Sequence, residues 1–520
     1  MEENNFIITL TGPSQSGKSL VMNKIINLGN IAEFKNKFFT PKKIKKYTTR
    51  YLRLDEMKKI QCGEEIDVEY SQKIPEECDL VYQTYGIRYG LDTRQIKKYM
   101  SKGISPIVVI NDIRAVEEIR KVFPDKVLSL FLFRKIPKLE DFKEEAKGRG
   151  NVSEQEIFAR YEKAVAIYRT YIENISLFDH VVLNVIEYVW EKLQGSNTIL
   201  DMQLKNVIGS ILNNKKRLRG IEEQEKLSRI FVVAGNAASG KDEIIRALLS
   251  MGKLEAEIIP KYTMRQQEPA DGKEMICRYI PKTDILLEFR NEYEHQREKL
   301  EKLCLQIDDC LRGEFQKQFM EFKQQLEEHT LNEYERFWNF ISDKVREENG
   351  DKIINKYFEI NPNYIDLNRI KENAKLEYSN KGVAIYSWND RKYIIYGRND
   401  RLYGCDITDL QTKLEENRHH FVIAASEIGF VNCLKYLYTD KRIKFVYAHS
   451  EISVGEFEAK ALDTTKKQKM EKFSDILEDY TKNISDYDHV TIYANSRLTY
   501  EQTSKEEELV DQMFRLLRAY

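Results

Sequence analysis

Apolar residues along the chain fall into two kinds of run. Short, dense runs recur at Phe6-Ile7-Ile8-Thr9-Leu10, Ile107-Val108-Val109-Ile110, Val127 to Phe133 and Ile230-Phe231-Val232-Val233-Ala234. Runs of that length with little polar alternation predict strands buried on both faces of a parallel sheet. Between them the spacing turns helical. Leu20, Val21, Ile25 and Ile26 follow the first run, Val116 and Ile119 follow the second, and Leu204, Ile208, Ile211 and Leu212 mark a connecting helix. Ser153 and Glu156 form a capping box before Ile157, Tyr161 and Val165, so another helix starts there. Strand alternating with helix predicts an α/β fold with parallel central sheets.

The first strand runs directly into Gly12-Pro13-Ser14-Gln15-Ser16-Gly17-Lys18-Ser19. A strand, a glycine-bounded turn and a helix start are the context that a phosphate-binding P-loop requires. Gly12 and Gly17 let the backbone wrap, so that N–H groups, with Ser14 and Ser16 beside them, point at phosphate oxygens at the positive end of the helix. Lys18 would reach the outer phosphates of a nucleotide and Ser19 would sit on Mg²⁺. A basic segment, Lys42-Lys43-Ile44-Lys45-Lys46, then leads into Tyr47-Thr48-Thr49-Arg50-Tyr51-Leu52-Arg53-Leu54-Asp55-Glu56. Two arginines three residues apart can grip one phosphate by planar hydrogen bonds.

The same plan appears twice. Residues 230–234 lead into Gly235-Asn236-Ala237-Ala238-Ser239-Gly240-Lys241-Asp242, a second strand-to-loop pattern. Lys261-Tyr262-Thr263-Met264-Arg265 echoes Lys46 to Arg50, Leu402-Tyr403-Gly404 with Asp406 echoes Tyr89-Gly90 with Asp92, and Ser426-Glu427 echoes Asn111-Asp112. Near the end, Asn483-Ile484-Ser485-Asp486-Tyr487-Asp488-His489-Val490 repeats Asn174-Ile175-Ser176-Leu177-Phe178-Asp179-His180-Val181. The expected plan is a first domain over 1–195, a linker over 196–228 and a divergent second domain over 229–520. From Arg265 to Tyr403 is 138 residues, against 39 from Arg50 to Tyr89, so the second copy holds an insertion, placed at about 282–378. Its Leu300, Leu303, Ile307, Leu311, Phe315 and Phe319 make an amphipathic helical stripe. That stripe fits a hairpin packed on its own domain or a surface for a second copy or a partner.

In order along the first copy, these elements resemble the guanylate kinase superfamily. Thr-Thr-Arg-x-x-Arg-x-x-Glu after the P-loop is similar to that family's acceptor-phosphate motif, and Tyr85-Gly86-Ile87-Arg88-Tyr89-Gly90 to its Tyr-Gly element. The resemblance implies that Arg50, Arg53, Tyr89 and Glu56 hold an acceptor phosphate. It also implies that Asp112 orders Mg²⁺ or its water, and that Arg149 and Arg160 close as a lid over the transferring phosphoryl group. Asp112 also reads as a plain helix N-cap. The family's guanine-reading glutamate aligns with Leu80, next to Asp79, and the serine before Thr-Thr-Arg aligns with Lys46 or Tyr47. Ribose 1,5-bisphosphate kinases of the superfamily are similar at Gly86-Ile87-Arg88-Tyr89-Gly90 and Asn111-Asp112, and carry Gly-Lys-Asp like Gly240-Lys241-Asp242.

The expected activity is ATP- and Mg²⁺-dependent phosphoryl transfer to a phosphate-bearing small acceptor, first of all a nucleoside monophosphate. A sugar-phosphate kinase is the second reading and a non-catalytic nucleotide- or phospho-partner-binding module the third. The second copy reads as degenerate: Ser19 becomes Asp242, Arg53 becomes Glu268, and Glu456 to Phe473 holds lysines without arginine.

Composition narrows the partners. A formal charge of −1 over 520 residues leaves no overall field for nucleic acid. Seven scattered cysteines without a C-x-x-C pair point to reduced thiols, hence cytoplasm, and the seven histidines form no ligand-spaced cluster. The acidic, polar start Met1-Glu2-Glu3 and the lack of a long apolar run predict neither a secretory leader nor a membrane span.

Overall fold

The computed structural model describes residues 5–13, 16–52, 54–63, 65–84, 86–134, 139–147, 154–184, 196–213, 218, 227–235, 241, 244, 256–259, 261–263, 277–279, 367–388, 390–398, 401–450, 478, 480–493 and 505–520. The first part of the chain begins with β1 (Ile7–Thr11), α1 (Lys18–Leu28), α2 (Ala32–Lys35), β2 (Thr40–Lys43), β3 (Lys46–Thr48), α3 (Leu54–Gln61) and β4 (Val68–Tyr70). It continues through β5 (Leu80–Thr84), β6 (Ile87–Leu91), α4 (Thr93–Met100), β7 (Ile104–Val109), α5 (Ile113–Val122) and β8 (Val127–Phe133). The helices α6 (Leu139–Lys147) and α7 (Glu154–Glu173), the strand β9 (His180–Leu183) and the helix α8 (Ser196–Leu212) complete it.

A parallel sheet in the order β2-β7-β1-β8-β9 forms the centre. Every residue of β1 and β8 is buried, as the dense apolar runs require. Ile7, Val108 and Ile110 pack with Val116 and Ile119 of α5 and Ile96 of α4 into one core cluster. A smaller sheet, β4-β3-β6-β5, stands apart from the parallel one and carries the acceptor-motif strands. Asp92 caps α4 and Asp112 caps α5, each accepting from a backbone N–H of the first turn, at 3.0 and 2.9 Å.

The later part opens with β10 (Ile230–Gly235), β11 (Ala256–Ile258), β12 (Lys261–Thr263) and β13 (Cys277–Tyr279). Next come α9 (Leu367–Asn373), β14 (Lys375–Asn380), β15 (Val383–Trp388), β16 (Arg391–Arg398), β17 (Arg401–Asp406) and α10 (Leu410–Glu415). It ends with β18 (His420–Ala424), α11 (Ile428–Leu437), β19 (Ile443–Ser450), β20 (His489–Tyr493) and α12 (Lys505–Ala519). Its parallel sheet runs β11-β18-β10-β19-β20, the order of the first sheet position for position. Its second sheet, β13-β12-β17-β16-β15-β14, is two strands wider than its counterpart.

That extra width corrects the expected insertion. Lys375–Asn380 is a strand, not helix, because it turns back through Lys381 and Gly382, both at positive φ, to pair antiparallel with β15. Two such residues are what a two-residue hairpin needs. Of the insertion expected over 282–378, the described part holds α9 and the start of β14, and residues 282–366 lie outside the described ones.

The chain divides into two compact units. One comprises Met1–Glu257, Leu414–Ile428 and Thr439–Tyr520, and the other Ile258–Lys413 and Gly429–Tyr438. The first unit holds β1 with its sheet and also β10, β18, β19 and β20, while the six-stranded sheet lies in the second. No described helix is long and apolar enough to cross a membrane.

Candidate active site

The carboxyl ends of β1 and β7 define the crevice in which an open α/β sheet takes its ligand. At the end of β1 the chain turns through Gly12 and Pro13, and Ser16 N donates to Pro13 O at 3.3 Å. Gly17 stands at φ +91° immediately before α1, where a Cβ would come 2.6 Å from Asn184 Nδ2. A side chain is excluded there on conformational and steric grounds. Asn184 follows β9, and its Nδ2 donates to Ser16 O at 2.7 Å, while its own N–H donates to Phe133 O at 2.8 Å. From the other side, Asn111 Oδ1 accepts from Gly12 N at 3.3 Å. Two asparagines at strand ends thus fix the loop.

Several features fit an anion at this loop. Helix α1 has no capping side chain and no acidic residue in its first turn. Its N-terminus therefore keeps its positive end. Ser16 is fully buried, and its hydroxyl has no hydrogen-bond partner among the described residues. A phosphate oxygen would satisfy it. Lys18 Nζ lies across the loop, donating to Gly12 O at 2.7 Å and Pro13 O at 2.5 Å. A nucleotide phosphate would compete for that ammonium.

The residues also fit a magnesium ion held mainly through phosphate. Among the described residues no group of three His, Cys, Asp or Glu could hold a metal. Mg²⁺ characteristically takes one or two protein ligands and completes its shell with phosphates and water. Ser19, exposed on the first turn of α1, and Asp112 are the side chains available for that role. Asp112 gives one oxygen, Oδ1, to the cap of α5.

The acceptor-motif residues gather on the smaller sheet. Thr48 on β3 pairs with Tyr89 on β6. Arg50 forms a fork with Glu56, Nη1 to Oε2 at 2.7 Å and Nη2 to Oε1 at 2.5 Å. Burial works against the Arg50 charge, but the Glu56 fork outweighs it and holds the guanidinium above its usual value. Tyr89 stacks on Tyr82 with ring centroids 5.4 Å apart. The Tyr82 hydroxyl is pushed well up by burial and by nearby Tyr89 and Asp112. Lys46, buried at the start of β3, sets its ammonium 5.5 Å from the Tyr89 ring centroid and also donates to Val109 O on β7. It ties the acceptor sheet to the central one.

Leu80, which aligns with the family's guanine-reading glutamate, and its neighbour Asp79 are both engaged in the fold. Leu80 is apolar and packs on the core cluster. Asp79 gives Oδ1 to Thr93 N at 2.8 Å and Oδ2 to the Thr93 hydroxyl, so both its oxygens serve α4. Ser14, Arg53, Arg149, Gly240 and Asp242 lie outside the described residues, and with them the expected lid pair is reduced to Arg160, half-buried on α7. Of the second loop, Gly235 ends β10, where its carbonyl accepts from Ser426 Oγ at 3.4 Å, and Lys241 is helical and half-buried. The later acceptor segment repeats the first in detail. Thr263 pairs with Tyr403, Lys261 lies 5.5 Å from the Tyr403 ring, and Tyr403 stacks on Tyr396 at 5.5 Å.

With this geometry established, comparison with known proteins gives one family. Residues 4–196 match the family model described as guanylate kinase. The segment has a guanylate kinase-like P-loop fold. Among solved structures, the chain matches a guanylate kinase from Anaplasma phagocytophilum at 18% identity. That match covers 42% of this chain and 92% of the other, with a TM-score of 0.23. The guanylate kinase-like segment contains every described residue of the first P-loop and acceptor sheet. Sequence reasoning missed Asn184, which belongs to no motif and acts only through the backbone of Ser16. It also passed over Lys46, whose place in a lysine-rich run looks like a solvated face. Its one distinguishing signal is the matching Lys261 before the matching Tyr-Thr.

Proposed function

We propose that the first repeat transfers the terminal phosphoryl group of ATP to a phosphate-bearing small acceptor, first of all a nucleoside monophosphate. The observation that carries this reading is the loop itself: an uncapped helix start, a buried serine hydroxyl awaiting an acceptor, and Lys18 across the turn. Gly12, Ser14, Ser16, Gly17 and Lys18 would bind the donor phosphates. Arg50, oriented by Glu56, would take the acceptor phosphate together with Tyr89 and Arg53. Arg149 and Arg160 would stabilise charge that spreads over the transferring group, and their closure would exclude water. Magnesium held by Ser19 and Asp112 would supply charge neutralisation. Catalysis would be positioning and electrostatics, since phosphoryl transfer leaves little covalent work to the protein.

The apolar Leu80 and the occupied Asp79 favour weak discrimination among bases, because a pocket that lacks buried polar readers rejects little. The same observation supports a sugar bisphosphate as the second candidate acceptor. The later repeat, with a similar Lys261–Tyr403–Tyr396 arrangement, reads as a divergent, regulatory copy.

ADP formation from ATP and Mg²⁺ tests this, with GMP, dGMP, AMP, CMP, UMP and ribose 1,5-bisphosphate offered to wild type, Lys18→Ala and Lys241→Ala. Turnover with nucleotides that only Lys18→Ala abolishes is the expected result. Turnover with the sugar bisphosphate alone would install the second acceptor. Acceptor-independent or absent turnover in all three proteins would leave a binding module.

A further inference from the structure

Within the first unit, residues 309 positions apart make the same bonds, and the two tyrosine bonds among them cross between the repeats in opposite directions. Tyr171 Oη donates to Val490 O, and Tyr480 Oη donates to Val181 O at 2.7 Å. Gln203 brackets Leu183, accepting from its N–H at 2.9 Å and donating to its carbonyl at 3.0 Å, and Gln512 brackets Ile492 at 2.8 and 2.7 Å. Helix α8 packs on the turn Ile484–Asp486, and α12 packs on the turn Ile175–Leu177. A gap too narrow for water is lined by matched pairs, Asp179 with Asp488 and His180 with His489. Reciprocal contacts of this kind are the signature of an isologous two-fold interface, here made by one chain with itself.

The crossing tyrosines, with a glutamine from the helix that follows each edge strand, answer a need that each sheet has. Among the described residues β9 and β20 are the last strands of their sheets, so backbone groups on their outer sides have no ladder partner there. Val181 and Leu183 alternate along one side of β9, and Tyr480 and Gln203 satisfy them. Val490 and Ile492 on β20 receive the same treatment from Tyr171 and Gln512. The symmetry breaks one residue further on. Asn184 follows β9 and holds Ser16 O of the phosphate-binding loop, whereas the corresponding position 493 is a tyrosine.

We infer that the second repeat serves the first as a built-in partner subunit, in which Tyr480 is a positioning residue that holds the end of β9, and so Asn184, against the phosphate-binding loop. The contact lies three residues from Asn184 on a strand of four, with Gln203 fixing the residue between. Loss of the Tyr480 hydroxyl leaves a buried carbonyl without its donor and frees the strand end to shift. The consequence for nucleotide rests on the P-loop reading above, but the coupling to the loop does not.

Amide hydrogen exchange on the full chain, with binding of a fluorescent ATP analogue, tests the inference. Tyr480→Phe and Tyr171→Phe remove equivalent hydroxyls and keep both rings, which stack on Tyr447 and Phe131 at 4.3 and 4.2 Å. Tyr480→Phe should raise exchange in residues 12–21 about fivefold, the population change that one ordinary hydrogen bond is worth, and weaken the analogue by a similar factor. Tyr171→Phe should change exchange near 489–493 and leave 12–21 and analogue binding at wild-type values. Asn184→Ala should reproduce the loop's faster exchange, and adding Tyr480→Phe to it should add little. Equal effects of the two tyrosine variants on residues 12–21, or none from Tyr480→Phe, would overturn the inference. A wild type that ignores the analogue while the exchange pattern appears would refute the proposed nucleotide site and leave the coupling standing.

Discussion

At the scale of single residues, the site depends on side chains that hold other groups in place. Glu56 takes both terminal nitrogens of Arg50, which holds the guanidinium in one orientation. Charge-assisted bonds of this type contribute about 1.5–3 kcal/mol, and Glu56→Ala should raise the acceptor KM about tenfold or more while leaving the KM for ATP near wild type. Steady-state kinetics with each substrate varied in turn decides it, and parallel rises in both constants would show that Glu56 acts on the whole fold instead. Gly17→Ala meets two obstacles at once, a positive φ and a Cβ 2.6 Å from Asn184 Nδ2. It should cost about 1–3 kcal/mol in urea unfolding, the range for a strained backbone position, and abolish nucleotide binding. Both glycines and Lys18 were legible because the loop chemistry ties residue type to spacing. Asn184 was not, since its role arises only when β9 is laid beside β8 and the loop comes within reach of its amide.

At the scale of elements, burial decides what the sequence discloses. β1, β7, β8 and β10 stand out as apolar runs because both their faces are covered. β2 does not: Thr40-Pro41-Lys42-Lys43 lies at the sheet edge, where one side needs no apolar cover, and it reads as part of a basic segment. β14 was hidden inside a stretch read as helical, because an edge strand that alternates weakly offers no periodicity strong enough to separate it from the helices before it. Asp79 illustrates how an element is positioned. Sitting just before β5, it accepts from both the backbone N–H and the hydroxyl of Thr93 and so fastens the start of α4 to that strand. Burial alone would raise its pKa, and the two bonds from Thr93 reverse that and hold it below its usual value. Because Asp79 is solvent-exposed, Asp79→Ala should destabilise by about 1 kcal/mol at pH 7, in line with the loss of a helix cap. The relative turnover of GMP and AMP should not change. A shift in that ratio would make Asp79 a reader of the base.

At the scale of the whole molecule, two parallel sheets of identical strand order share the first unit, and their matched bonds are nearly all polar groups satisfied in pairs. The ordered series of motifs pointed to two sheets of like order, but it did not disclose the pairing, because Tyr171, Gln203, Tyr480 and Gln512 belong to no motif and each looks like an ordinary core or helix residue. One position within this arrangement is chemically unmatched. His449 on β19 is fully buried against Phe133 at 5.5 Å, and neither ring nitrogen has a hydrogen-bond partner among the described residues. Burial pushes its pKa down from 6.5 to about 3, so the folded protein holds it neutral. The unfolded chain, with an ordinary histidine, takes up a proton as pH falls below 6.5, and the folded chain does not. Stability from this group is therefore full above 6.5 and is lost progressively as pH drops toward 3. Between pH 7 and pH 5 the loss is about 2 kcal/mol by linkage. His449→Phe places in the second sheet a ring of the kind that Phe133 supplies in the first and removes the titration. Urea unfolding at pH 7 and pH 5 should show the variant gaining on wild type by about that amount, since only the wild type carries the penalty. Parallel pH profiles for the two proteins would mean that His449 is protonated or hydrogen-bonded in the folded state, and that the junction between the two sheets is wetter than its burial implies.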